Sequence, residues 1–211
     1  MKLFELYEEQ FDLEKFKSDC APFLKELQGA TSYPYHGTHS GPDDYEVRNF
    51  KERTGPRDTA PDIHKELNAL FKEKLGHEIR NWLFISGSPS VVRSYGKKNA
   101  IFPIGGDYNY VWSPFIDDMS THHTTHMDRV NASNKELAFD DRREIAKDNF
   151  LNDIATITFK VDVELKEALD SIHEIHLRCK RFYIFNCDGP TFENVIDPFI
   201  RKNIFHRYET D

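Results

Sequence analysis

The sequence predicts one α+β domain, and three observations lead there. Its 211 residues are enough for one sizeable core and short for two. Hydrophobic residues make up 38 % and charged residues 30 %, a globular composition, with 17 Phe and 9 Tyr to build an aromatic core. Apolar spacing changes along the chain between helical and strand-like periods, and no internal repeat, low-complexity tract or linker divides it.

The elements follow in order. Residues 4–28 carry Phe4, Leu6, Tyr7, Phe11, Leu13, Phe16, Phe23, Leu24 and Leu27 at mostly helical spacing, broken near Pro22. The segment 29–61, rich in Ser, Thr, Tyr, Pro and Gly, holds a short strand at 32–37 and then a polar loop. Gly55 to Pro61 reads as a turn into a helix over 62–75, capped by Asp58 or Thr59, with Pro61 in the first turn and Gly76 ending it. Trp82-Leu83-Phe84-Ile85 reads as a buried strand, Ser86-Gly87-Ser88-Pro89 as a turn, and 90–95 as a short helix. Strands are expected at 99–105 and 108–112, split by Gly105-Gly106-Asp107. Residues 117–150 are polar and helical in places, 154–161 alternates like a strand, and 164–172 is a short helix. Residues 174–185 form the longest strand candidate, and the tail after Gly189 is irregular with a weak helix at 192–202.

Bulk properties narrow the function. A net charge of -8 and a pI near 5.7 argue against broad binding to nucleic-acid backbones, though a local basic cleft for one dinucleotide is compatible with them. Cys20, Cys179 and Cys187 make no disulfide framework and no CxxC pair, so a cysteine zinc site is not expected, and Cys179 reads as packing. The N-terminal stretch has no secretory h-region, and no run of about 18 apolar residues occurs; the expectation is a cytoplasmic protein with no membrane contact. His122 and His126 have i, i+4 spacing, but without HExxH and with polar flanks they read as a solvated loop, and no metal is expected. A P-loop, a Rossmann GxGxxG and a GxSxG elbow are all missing.

Three short segments carry chemistry together. The first is Tyr33-Pro34-Tyr35-His36-Gly37-Thr38, the second runs from Trp82 to Tyr95 (WLFISGSPSVVRSY), and the third from His173 to Tyr183 (HEIHLRCKRFY). A neutral imidazole can hydrogen-bond a hydroxyl, a glycine permits close backbone approach, an aromatic face suits a flat ring, and a carboxylate stabilises developing positive charge.

In this order and at these separations, over roughly 31–185, the segments resemble the motifs of the ADP-ribosyltransferase superfamily. They are most similar to its His-Tyr-Glu branch, which includes diphtheria-type toxins and poly(ADP-ribose) polymerases, and the chain also resembles uncharacterised phage proteins of similar length. The resemblance implies a split antiparallel β-sandwich with flanking helices and NAD as substrate, with no metal needed. It implies that His36 holds the adenosine ribose, Gly37 clamps the carboxamide, Thr38 adds a hydroxyl, Tyr95 stacks on nicotinamide and Glu174 stabilises the transition state. Phe84 stands where the family usually has tyrosine. Ser86 and Ser88 lie in a turn similar to the Ser-Thr-Ser turn of the Arg-Ser-Glu branch, which leaves the branch open. Ile172 stands where arginine-directed members carry Gln or Glu, which speaks against arginine as acceptor. Arg57, before a helix N-terminus, is a candidate for the pyrophosphate, with a loop salt bridge to Asp58 as the alternative. The expected activity is ADP-ribose transfer from NAD to a protein or nucleic-acid acceptor, a host factor if the chain is phage-encoded. NAD hydrolysis, and an inactive module that binds NAD, ADP-ribose or a protein, are the alternatives.

Overall fold

Two antiparallel sheets of four strands organise the chain, in a computed structural model that describes residues 11–55 and 59–205. Sheet I has the order β1 (Tyr35–Thr38), β4 (Lys97–Pro103), β8 (Arg181–Asn186), β2 (Tyr45–Asn49). Sheet II has the order β3 (Leu83–Ile85), β7 (Ile175–Cys179), β5 (Tyr108–Trp112), β6 (Lys160–Val161). The chain is therefore α+β, with helices flanking both sheets. The sheets meet where β1 passes the end of β3: Tyr35 N–H donates to the Ser86 carbonyl at 3.0 Å, and Ser86 N–H returns a bond to the Tyr35 carbonyl at 2.9 Å.

The helices are α1 (Leu13–Asp19), α2 (Ala21–Glu26), α3 (Pro61–Leu75), α4 (Pro89–Arg93), α5 (Met119–Ser133), α6 (Phe139–Thr156), α7 (Leu165–Leu169) and α8 (Asp197–Asn203). The break expected near Pro22 falls at Cys20, with the proline in the first turn of α2, where its missing N–H costs nothing. The N-cap of α3 is Ala60, without a side-chain hydrogen bond, so Thr59 does not cap it, and Asp58 lies outside the described residues. Gly76 ends α3 at φ 79°, a left-handed turn that favours glycine.

The core has two parts. Phe16 sits at the centre of the first, with Phe102, Tyr183 and Phe185 edge-on at 5.2, 5.4 and 5.6 Å. Tyr110 and Trp112 of β5 point into this cluster. Val111 between them faces the second cluster, where Ile63, Leu67 and Phe71 of α3 meet Phe150 and Ile154 of α6. Sheet II is thus covered on both faces.

Four expectations change. The polar loop after β1 contains β2, a half-exposed strand that pairs with β8. Residues 154–161 are not a strand: α6 runs to Thr156 because Ala146, Phe150 and Ile154 keep helical spacing into the core, and only Lys160–Val161 pairs. The long strand over 174–185 is two strands, β7 in sheet II and β8 in sheet I, with the chain crossing between sheets at Lys180. His122 and His126 lie on a 15-residue helix, α5, and not in a solvated loop. Among the described residues no helix is long and apolar enough to cross a membrane.

Candidate active site

Where β1 and β3 diverge from their meeting point, a small cleft opens partly to solvent. His36 and Gly37 of β1 line it, together with Phe84 of β3, Tyr95 from the turn after α4, and Glu174 just before β7. The three segments singled out in the sequence therefore contribute to one concave surface.

Local structure explains each position. His36 Nδ1 lies 2.7 Å from the Phe84 carbonyl oxygen. A carbonyl only accepts, so Nδ1 carries the proton and, in the neutral ring, the acceptor is Nε2. Gly37 has no room for a side chain: a Cβ there would stand 2.0 Å from the Val92 carbonyl oxygen and 2.8 Å from Tyr95 Cβ. Helix α4 thus rests directly on the β1 backbone and brings Tyr95 against Phe84, ring centroids 5.0 Å apart in an edge-on contact. The Tyr95 hydroxyl donates to Asp118 Oδ2 at 3.0 Å. Asp118 caps α5 by accepting from Thr121 N–H at 2.7 Å.

Glu174 is 5 % exposed. Arg80, 1 % exposed, donates from Nη1 to Glu174 Oε1 at 2.5 Å. Met119 N–H, in the first turn of α5, donates to Oε2 at 2.7 Å, so a helix N-terminus and a guanidinium hold the carboxylate from two sides. The strand period puts His176 on the same face, with Nε2 3.3 Å from Oε1. Burial and the Arg80 and Arg53 guanidiniums hold the His176 pKa well below its ordinary value, so the ring is neutral.

No protein-family model, curated protein or solved structure matches this chain.

The remaining candidates fall elsewhere. Thr38 is buried, and its hydroxyl pairs with Ser40 Oγ at 3.2 Å. Ser86 is buried at the junction of the sheets, where its Oγ accepts from Ser88 N–H at 3.1 Å. Ser88 Oγ bonds Ser90 Oγ at 2.8 Å. All three serve the turns that shape the cleft and lie outside its lining. Arg57 lies outside the described residues.

The cleft also contains residues that sequence reading passed over. Lys51 and Arg53 supply positive charge, and Trp82 and Leu83, read only as buried strand, form part of its wall. Arg53 is fixed by its N–H to the Asn81 carbonyl at 2.9 Å and by Nη2 to the Arg80 carbonyl at 2.7 Å. The basic pair Lys51 and Arg53 follows β2 directly, so its placement became readable only once that strand was recognised.

Proposed function

We propose that the cleft binds NAD and that the chain is an NAD-dependent ADP-ribosyltransferase, which breaks the nicotinamide–ribose bond and passes ADP-ribose to a protein or nucleic-acid acceptor. The observation that carries this reading is the convergence of His36, Gly37, Phe84, Tyr95 and Glu174 on one cleft, from segments far apart in the chain. Two antiparallel four-stranded sheets with flanking helices are compatible with the split sandwich that the motif resemblance implies.

Each group then has a task its setting suits. His36 offers Nε2 to a ribose hydroxyl, with its ring fixed by the Phe84 carbonyl. Tyr95 and Phe84 present aromatic surface to nicotinamide. Lys51 and Arg53 face the pyrophosphate, the role considered for Arg57. When the glycosidic bond breaks, its electron pair goes to the nicotinamide nitrogen and neutralises that ring, while positive charge grows on the ribose. A carboxylate held rigidly by Arg80 and Met119 stabilises that charge without reorganising. The acceptor nucleophile then bonds to the anomeric carbon and releases its proton to solvent.

One observation favours a binding-only module: Arg80 already balances the Glu174 charge. Nicotinamide release from NAD, measured with the parent chain and Glu174→Gln alongside calorimetric NAD binding, separates the readings. Release that needs Glu174 and a macromolecular extract supports transfer, whereas release to free ADP-ribose in buffer alone makes the chain a glycohydrolase. NAD binding without release makes it a binding module, and no NAD binding refutes the proposal.

A further inference from the structure

We infer that His122, His126 and Asp153 form a binding site for a divalent transition-metal ion of the zinc class, which clips α5 to α6. This inference is independent of the activity proposed for the cleft.

Helix geometry places His122 and His126 one turn apart on the same face of α5. Asp153 faces them from α6. His122 Nε2 lies 2.8 Å and His126 Nε2 3.2 Å from Asp153 Oδ2, and the three ligand atoms all lie within 4.8 Å of one another. A tetrahedral ion with bonds of about 2.0–2.1 Å holds its ligands roughly 3.3 Å apart. Side-chain rotations on the order of 1 Å would therefore seat an ion without moving either helix. Two imidazoles and a carboxylate are a borderline donor set that suits zinc, and three protein ligands leave a fourth position for water.

The surroundings resemble a ligand shell more than a chance surface pair. The rings of His122 and His126 pack at 5.9 and 6.0 Å from the ring of Phe150, which is fully buried and forms an apolar floor. The side chains of His126, His122 and Asp153 are 11, 24 and 40 % exposed, so the site is walled yet reachable from solvent. Helix α5 buries only Met119, His126 and Val130, so its seam with α6 has few apolar anchors and relies on this polar cluster. The balance of metal binding is simple. Each Nε2 now directs its proton at Asp153, so metal binding must clear it: a neutral ring shifts that proton to Nδ1 through solvent, and a doubly protonated ring keeps Nδ1–H and releases one proton to solvent.

The ion would brace the α5–α6 seam, with its fourth position left to water. The three ligands lie outside the cleft lining, but His122 N–H donates to the Asp118 carbonyl at 2.9 Å, one turn from the residues that hold Tyr95 and Glu174. An ion there would fix the helix whose first turn supports the cleft.

The test uses the full chain stripped with a chelator, then titrated with Zn²⁺ alone by calorimetry and with Co²⁺ alone by visible absorption. The expected result is one equivalent of zinc, the cobalt bands of a four-coordinate N/O site, and a melting temperature raised by about 5–10 °C at roughly a hundredfold excess over Kd. His126→Gln and Asp153→Asn should each weaken binding by at least the roughly 10–100-fold typical of lost supporting contacts. His122→Gln, at the more exposed ring, is the variant safest for folding, and circular dichroism of each metal-free variant checks that it is native. Failure of the parent to bind zinc stoichiometrically, or zinc binding that is unchanged in folded His122→Gln and Asp153→Asn, would overturn the site.

Discussion

Replacing Glu174 by alanine tests folding before it tests chemistry. The substitution would leave the Arg80 guanidinium buried without the carboxylate that now lies 2.5 Å from it. Breaking one side of a buried ion pair costs about 3–5 kcal/mol, and the Met119 N–H would lose its acceptor for about 1 kcal/mol more. Against a total stability of about 5–15 kcal/mol, that is roughly a quarter or more. At roughly 2–4 °C per kcal/mol for a chain of this size, the melting temperature falls by about 8–24 °C. Urea unfolding followed by tryptophan fluorescence is a suitable assay, because Trp82 and Trp112 are both buried in the fold. The double variant Glu174→Leu with Arg80→Met removes both charges and should recover most of the loss. A Glu174→Ala chain within about 1 kcal/mol of the parent, or a double variant no better than the single one, would refute the claim that this pair is a coupled buried unit. Glu174→Gln is the better probe of reaction, since its side-chain oxygen can still accept from Arg80.

Three further outcomes are expected. Gly37→Ala forces a methyl against the Val92 carbonyl and should cost at least about 1–3 kcal/mol of stability by chemical denaturation; an unchanged midpoint would mean that α4 does not rest on β1. Tyr95→Phe loses the bond to Asp118, about 0.5–1.5 kcal/mol, but keeps the ring, so calorimetry should show NAD affinity close to the parent's while Tyr95→Ala binds more weakly. His176 is neutral when folded, and its unfolded value is near 6.5, so below that pH the unfolded chain binds a proton that the native chain does not. Its contribution is complete above pH 6.5 and is lost on acidification, at up to about 1.4 kcal/mol per pH unit. Unfolding free energies from pH 8 to 5 should therefore fall less steeply in His176→Gln than in the parent.

The sequence was legible where local chemistry and tertiary packing agree. Helix α3 has both an amphipathic face and a left-handed glycine at its end, and β5 lies between clear turns, so both were readable to within a residue or two. Reading failed where partners distant in the chain decide. Tyr45–Asn49 is half exposed and is a strand because β8 offers it an edge. Residues 174–185 alternate without a glycine or proline, so nothing local marks Lys180 as the crossing between sheets. At 154–156 the helical spacing begun at Ala146 prevails over β-branched propensity. At the cleft, the family resemblance singled out His36, Tyr95 and Glu174 from motifs that are each weak alone, and all three line it. Arg80 gave no such signal, since its importance comes from burial beside a carboxylate 94 positions away.

The sheet order has a consequence for how the molecule comes into being. β7 lies between β3 and β5, and β8 lies between β4 and β2, so among the described residues the two strands latest in chain order are interior members of the two sheets. Until they arrive, β3 and β2 have no ladder to join, and Glu174 is not yet available to Arg80. Assembly must wait for contacts between distant parts of the chain, which makes it slow relative to a helical domain of equal length. The cleft cannot close around a ligand before β7 has been made, and any activity housed there begins only once Glu174 can reach Arg80.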